Sequence, residues 1–411
     1  MAASRDDAIR LVGLRVDANI GVYPHEHGRL QRLEFDVELT TDNARAAATD
    51  DVAYTIDYDQ VAAIVREICG SQHHRLIETL AGKIAERLCS TFGARVSAVS
   101  VRVRKPGAVP DAATVEVVVK RGAGTTQLPE LVLGEHRLVR GGRALIMGIV
   151  NATPDSFFDR GKFFDARDPG PAIARAEQLI AEGADVVDIG GETAQPSSPV
   201  LEVEEEIARV VPVIAALAKR VKVPISVDTY KPEVARRAIA AGASLINDTS
   251  GLADVRLADV ARETGAGIVC MHIVGHPKER LTPGFADPVG AVLEFLRAKV
   301  ELLEARGVPR ARILVDPGIG FGKTSSENLS LIAHTDALRS IGAAVLFACS
   351  RRTFLGEFFG GLPPEDRLEP TAAVNAVAIL GGADMIRVHD VRFFARMSKM
   401  LGLVGARRGP A

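Results

Sequence analysis

Glu182-Gly183-Ala184-Asp185-Val186-Val187-Asp188-Ile189-Gly190 reads as the end of a helix, a left-handed glycine cap, and then a short apolar strand. The unit recurs at Ala241-Gly242-Ala243-Ser244, Thr264-Gly265-Ala266-Gly267, Ile341-Gly342-Ala343-Ala344 and Gly381-Gly382-Ala383-Asp384, each followed at once by an apolar run. Glycine after a helical stretch supplies the cap. A continuous apolar run is a strand buried on both faces. Runs of this kind occupy residues 144–150, 186–190, 224–228, 244–248, 267–272, 312–316, 344–350 and 385–390. Eight strands alternating with helices over residues 144–411 predict an α/β (β/α)8 TIM barrel, a fold of roughly 250 residues. A doubly wound open sheet is the alternative, but it has fewer strands and a glycine-rich first turn that is absent here.

Upstream of the barrel the texture differs. Gly122-Ala123-Gly124-Thr125-Thr126-Gln127-Leu128-Pro129 breaks the apolar periodicity and reads as a linker. The segment after it turns at Gly134-Glu135 as a two-stranded ribbon, so residues 123–143 form linker and ribbon. Residues 1–122 alternate as strands over 9–16, 33–40, 96–104 and 114–120, with helical spacing over 58–69 and 74–89. The order ββααββ predicts an α+β domain, an antiparallel sheet with helices on one face. Its outer strands are long and lack an edge-blocking proline, which predicts a symmetric homo-oligomer joined edge to edge.

Composition narrows the function classes. The 411 residues are 47% hydrophobic and 25% charged, the profile of a globular chain with a real core. Fifty Lys and Arg against fifty-two Asp and Glu leave a net charge of −2, which offers no footprint for nucleic acid or an anionic membrane. The four cysteines are scattered without a C-x-x-C pair, and no apolar run suits a signal peptide or a bilayer span. A soluble, cytoplasmic enzyme is the expectation.

In a (β/α)8 barrel the chemistry lies at the carboxyl ends of the strands. Those positions hold Asn151, Asp188, Asp228, Asn247 with Asp248, His272, Asp316, Ser350 with Arg351, and Arg387 with His389. Any one of them is ordinary loop polarity. The set as a whole is segregated: carboxylates and an amide (Asp228, Asn247, Asp316) on strands three, four and six, cations on strands seven and eight. Buried carboxylates suit a flat ligand rich in N–H donors, and the mouth of strands seven and eight is the usual phosphate site of barrels. The loop Asp316-Pro317-Gly318-Ile319-Gly320-Phe321-Gly322-Lys323-Thr324 nearly matches a nucleotide phosphate loop, but Pro317 replaces its first glycine. ATP is therefore rejected, and Lys323 reads as solvated.

Taken together, Asn151-Ala152-Thr153-Pro154-Asp155-Ser156-Phe157, Asp188-Ile189-Gly190-Gly191-Glu192, Val227-Asp228-Thr229, Ile246-Asn247-Asp248, the loop from Asp316, Cys349-Ser350-Arg351 and Arg387-Val388-His389-Asp390 resemble dihydropteroate synthase. The resemblance runs from about residue 131 to the C-terminus. It implies that a dihydropterin methyl diphosphate loses pyrophosphate while the amine of p-aminobenzoate attacks its methylene carbon. By the same resemblance Asp228, Asn247 and Asp316 hold the pterin and Arg387 and His389 the diphosphate. Asn151 helps hold Mg²⁺, and Arg352 stands where the family usually has Lys. Ala194 and Gln195 replace the Thr and Arg that the family carries on the loop after strand two.

Ile20-Gly21-Val22-Tyr23-Pro24-His25-Glu26, Asp57-Tyr58, Leu76-Ile77-Glu78 and Arg104-Lys105-Pro106-Gly107-Ala108 resemble dihydroneopterin aldolase, which implies a tunnelling-type domain. The implied reaction is a retro-aldol cleavage to 6-hydroxymethyl-dihydropterin and glycolaldehyde, with no cofactor. Glu78 and the Ile77 backbone would hold the pterin edge, Lys105 would move the proton, and Glu26 and Tyr58 would position the side chain. His25, His27, His73 and His74 are poorly spaced for one zinc ion, and His73-His74 reads as the start of a helix. A separate 6-hydroxymethyl-dihydropterin pyrophosphokinase is expected to link the two reactions. Two other readings of the barrel are a catalytically weak pterin-binding module, motivated by Ala194 and Gln195, and a pterin-dependent methyltransferase, opposed by the cationic residues.

Overall fold

The computed structural model describes residues 7–41, 43–92, 95–122, 130–153, 168–193, 198–279 and 281–407. The predicted linker 123–129, Ala194 and Gln195 lie outside the described residues. The chain divides into two compact units at Thr126 and Gln127.

In the first unit four antiparallel strands, β1 (Asp7–Asn19), β2 (Leu30–Thr41), β3 (Ala98–Lys105) and β4 (Val115–Gly122), lie in sequential order. Alternation drives the pairing. Leu33, Phe35, Val37 and Leu39 of β2 and Val99, Val101 and Val103 of β3 are buried on one face. They meet Val61, Ile64 and Val65 of α2 (Tyr58–Ser71) and Leu80, Ile84 and Leu88 of α3 (Ile77–Phe92) in a single core. A short helix, α1 (Ala44–Thr49), was not read from the sequence. The second long helix begins at Ile77 rather than at His74. His74 is instead fixed in extended backbone: its N–H donates to the Asn19 carbonyl and its own carbonyl accepts from Gly21, both at 2.9 Å.

The second unit is a closed barrel of eight parallel strands, β7 (Leu145–Asn151), β8 (Val186–Gly190), β9 (Ile225–Asp228), β10 (Leu245–Asp248), β11 (Gly267–Met271), β12 (Ile313–Asp316), β13 (Ala344–Phe347) and β14 (Met385–Val388), with β14 pairing back to β7. Closure removes the open doubly wound alternative. The repeat has the expected cause: Gly183, Gly242, Gly265, Gly342 and Gly382 all take positive φ. The ribbon, β5 (Leu131–Leu133) and β6 (His136–Leu138), joins this unit. Leu131 and Leu133 are buried among Leu145, Val186, Leu245, Leu314 and Met385, which lie in the first two positions of barrel strands, so the ribbon stoppers the end opposite the polar mouth. Register aligns the mouth residues: Asn247 lies beside Asp228, and Asp228 beside Gly190.

Candidate active sites

At the barrel mouth the carboxylates and cations are interleaved rather than apart. Arg387, on β14, donates from Nε to Asp188 Oδ2 and from Nη2 to Asp228 Oδ2, each at 2.7 Å. Asn247 Nδ2 donates to the same Asp188 oxygen at 3.0 Å. Asp188 thus joins Asn247 to Arg387, and its Oδ1 is buried without a partner among the described residues. Burial pushes the Asp228 carboxyl up, against the pull of Arg387 and with Asp188 adding repulsion. Asp316 stands on the other side of the mouth, its Oδ1 accepting the Gly318 N–H at 2.7 Å. Burial lifts Asp316 to about 6, opposed by that N–H and by Arg352 and Lys323.

Lys323 corrects the solvated reading. It is 6% exposed, and its Nζ donates to the carbonyls of Gly318 and Phe321 at 2.9 Å. Burial pulls it down to about 7, the two nearest carboxylates notwithstanding. The loop can fold over it because Gly318 takes φ +66° and a Cβ there would sit 1.8 Å from the His272 carbonyl. His272 is wedged against Phe285 and Phe295, and burial holds it near 3, so it is a neutral wall of the pocket. Asp248 is engaged locally, accepting the N–H groups of Ser250 and Leu252 and the Ser250 hydroxyl.

On the cationic side Ser350 Oγ accepts the His389 backbone N–H at 3.2 Å and lies 2.8 Å from His389 Nδ1. A Ser350 hydroxyl hydrogen directed at Nδ1 would leave the ring proton on Nε2. Burial and the surrounding arginines hold His389 well below the usual imidazole range. It is therefore a neutral ring rather than a charge. Arg352 lies with its guanidinium 4.5 Å from the Phe321 ring centroid. Arg351, grouped with the mouth cations on sequence, turns away from it: Nε and Nη2 donate to Asp390, and Nη1 to the Pro364 and Glu365 carbonyls. Beside Gly191, Glu192 accepts from Lys231, Lys278 and Tyr230.

In the first unit the structure pairs Lys105 Nζ with Glu26 Oε1 at 2.5 Å, both side chains mostly buried. The other Glu26 oxygen accepts the N–H groups of Val22 and Tyr23 at 2.9 and 3.0 Å. The Lys105 ammonium and these donors hold Glu26 down at about 2. Tyr58 opens α2 and is 60% exposed; Ile77 and Glu78 open α3, with Ile77 buried and Glu78 exposed. Among the described residues no hydrogen bond or ion pair joins Tyr58 or Glu78 to the Glu26–Lys105 pair. His73 has both ring nitrogens engaged, by Asn19 Oδ1 and the Gly21 carbonyl.

The family model for pterin binding enzymes matches residues 147–389, and that for dihydroneopterin aldolase matches residues 9–120. The chain belongs to the pterin-binding enzyme family. Dihydropteroate synthase of Bacillus subtilis is 42% identical over 260 residues, 63% of this chain and 88% of that protein. The inactive dihydropteroate synthase 2 of Mycobacterium leprae is 43% identical over 285 residues, 67% of this chain and 95% of that protein. The solved structure of Xanthomonas albilineans dihydropteroate synthase in complex with 7,8-dihydropteroate superposes with a TM-score of 0.60 at 37% identity, covering 69% of this chain and all of that one. This chain joins an aldolase domain to a synthase barrel, a bifunctional arrangement within folate biosynthesis.

Proposed function

We propose that each domain carries out its family's reaction on a pterin, with the following division of labour. In the barrel, Asp228, Asn247 and Asp316 accept the pterin's N–H groups. Arg352, Arg387 and the Nε2–H of His389 meet the charge that develops as the methylene–oxygen bond breaks and pyrophosphate leaves. The amine lone pair of p-aminobenzoate forms the new carbon–nitrogen bond, and the amine then loses a proton. The observation that carries this reading is the Asp188–Arg387–Asp228 bridge. It keeps a cation between the two halves of the mouth, within reach of either.

In the first unit Glu78 and the Ile77 backbone hold the pterin, with Tyr58 and Glu26 on its side chain. Lys105, already hydrogen-bonded to Glu26, moves the proton. The carbon–carbon pair of electrons enters the dihydropterin ring, giving 6-hydroxymethyl-dihydropterin and glycolaldehyde. A separate pyrophosphokinase activates that product for the barrel.

Mg²⁺ fits the synthase mouth. Asn151 ends β7, and two residues on the Thr153 hydroxyl is buried with no hydrogen-bond partner among the described residues. These are hard oxygen donors, few in number, as expected where substrate phosphates supply the remaining ligands. The ion would neutralise the diphosphate. The outer strands β1 and β4 each pair on one side only, which supports edge-to-edge homo-oligomers. No helix of the described residues is long and apolar enough to cross a membrane, and the proposed location is the cytoplasm.

A second reading has its own support: an active aldolase fused to a weak pterin-binding barrel. Ala194 and Gln195 motivate it, and so does the similarity to a relative named as inactive. Restoring Thr and Arg at 194 and 195 tests it. A synthase kcat/KM raised by an order of magnitude or more would favour the weak barrel, and an unchanged value the active one.

A further inference from the structure

The polar turn after β13 contains a residue held against its own preference. Arg351 is 6% exposed and takes φ +54°, a left-handed conformation that a residue with a Cβ keeps only where its surroundings over-determine it. Here they do. Both Asp390 oxygens accept from its guanidinium at 2.8 Å. Nη1 donates to the Pro364 and Glu365 carbonyls at 2.7 and 2.8 Å. Its backbone N–H donates to Thr371 Oγ1, and its carbonyl accepts from Arg367 Nη1, both at 3.1 Å.

The neighbours of this buried fork are the groups at the mouth. Ser350 precedes it and fixes the His389 ring; Arg352 follows it and lies over Phe321. Asp390 in turn follows His389. Two consecutive links, Ser350 to His389 and Arg351 to Asp390, therefore tie the end of β13 to the end of β14. A right-handed or extended residue at 351 would send Arg352 in another direction and unpair Ser350 from His389.

We propose that Arg351, acting through Asp390, is a positioning residue for the synthase reaction: it locks the turn so that His389 presents its N–H, and Arg352 its guanidinium, to the diphosphate. The inference rests on the reading of this side of the mouth as the diphosphate site.

The test uses the full chain and inorganic pyrophosphate as the probe. Arg351→Lys keeps the charge but cannot make the fork, Asp390→Asn weakens it from the other side, and Ser350→Ala is a milder change. Each should raise both the KM for the dihydropterin diphosphate and the Ki of pyrophosphate by about tenfold. The KM for p-aminobenzoate should stay close to that of the unmodified chain, while the melting temperature falls, most in Asp390→Asn, which leaves the buried guanidinium without its carboxylate. The Arg351→Lys, Asp390→Asn double variant should be no worse than the worse single one. Unchanged pyrophosphate inhibition in all the variants overturns the proposal. So does an equal rise in the KM of both substrates, which would mark Arg351 as part of the general framework. If pyrophosphate does not inhibit the unmodified chain, the reading of the site itself fails, and that result is seen before any variant is made.

Discussion

Glu26 and Asp316 are both carboxylates placed for pterin chemistry, and the protein treats them in opposite ways. Glu26 is paired at 2.5 Å with Lys105 and bonded by two backbone N–H groups, and is held at about 2. Asp316 sits inside the barrel mouth, where burial lifts it to about 6 with one N–H bonded. A carboxylate with its donors in place is ready to orient a proton-transferring lysine. One left short of donors gains most when a ligand brings them. The aldolase side is thus prearranged around a proton, and the synthase side around the ligand's own hydrogen bonds.

The largest effect that would break this contrast concerns Arg387. Arg387→Ala should abolish pteroate formation and leave Asp188 and Asp228 without their cation, destabilising the barrel by about 3–5 kcal/mol. Aldolase turnover, measured in the same preparation, should be retained. Next in size, Lys105→Met should lower aldolase kcat/KM by about 10²–10⁴-fold and leave synthase kinetics within error. A joint loss in either variant would mean that the two sites are not independent.

The pH response should sharpen the contrast by its sign. Asp316 is raised, so its contribution to stability is complete below its unfolded value of 3.8 and is lost as pH climbs through about 6. Glu26 is lowered, so its contribution is present above 4.5 and is lost as pH falls toward about 2. Denaturation midpoints for Asp316→Asn and Glu26→Gln against the unmodified chain should differ over these separate windows. Pterin binding to the barrel should strengthen as pH rises through about 6. The smallest effect expected is that of Lys323→Met: the Gly318 and Phe321 carbonyls lose a buried donor, and stability falls by about 1–3 kcal/mol.

The barrel was legible because parallel strands buried on both faces are uninterrupted apolar runs, punctuated here by glycines that the structure holds at positive φ. The residues at the strand ends could be named for the same reason. What each of them touches could not. Arg351 and Arg352 are adjacent and alike in sequence; a left-handed backbone, the distant Asp390 and the Pro364 and Glu365 carbonyls turn the first away from the mouth. Lys323 looked solvated because nothing local shows that three glycines fold the loop around it. Arg387 reaches Asp188 and Asp228 across 199 and 159 residues of sequence. In the first unit, His74 precedes apolar residues at helical spacing, but its backbone bonds to Asn19 and Gly21 pull it into a bridge instead.

The measurement that bears most directly on this account is pteroate formation by the purified chain, supplied with dihydropterin diphosphate, Mg²⁺ and p-aminobenzoate, with aldolase turnover followed in the same sample. The account predicts both activities, with the first lost and the second kept in Arg387→Ala. Aldolase turnover without any pteroate would contradict it and assign the barrel to pterin binding alone.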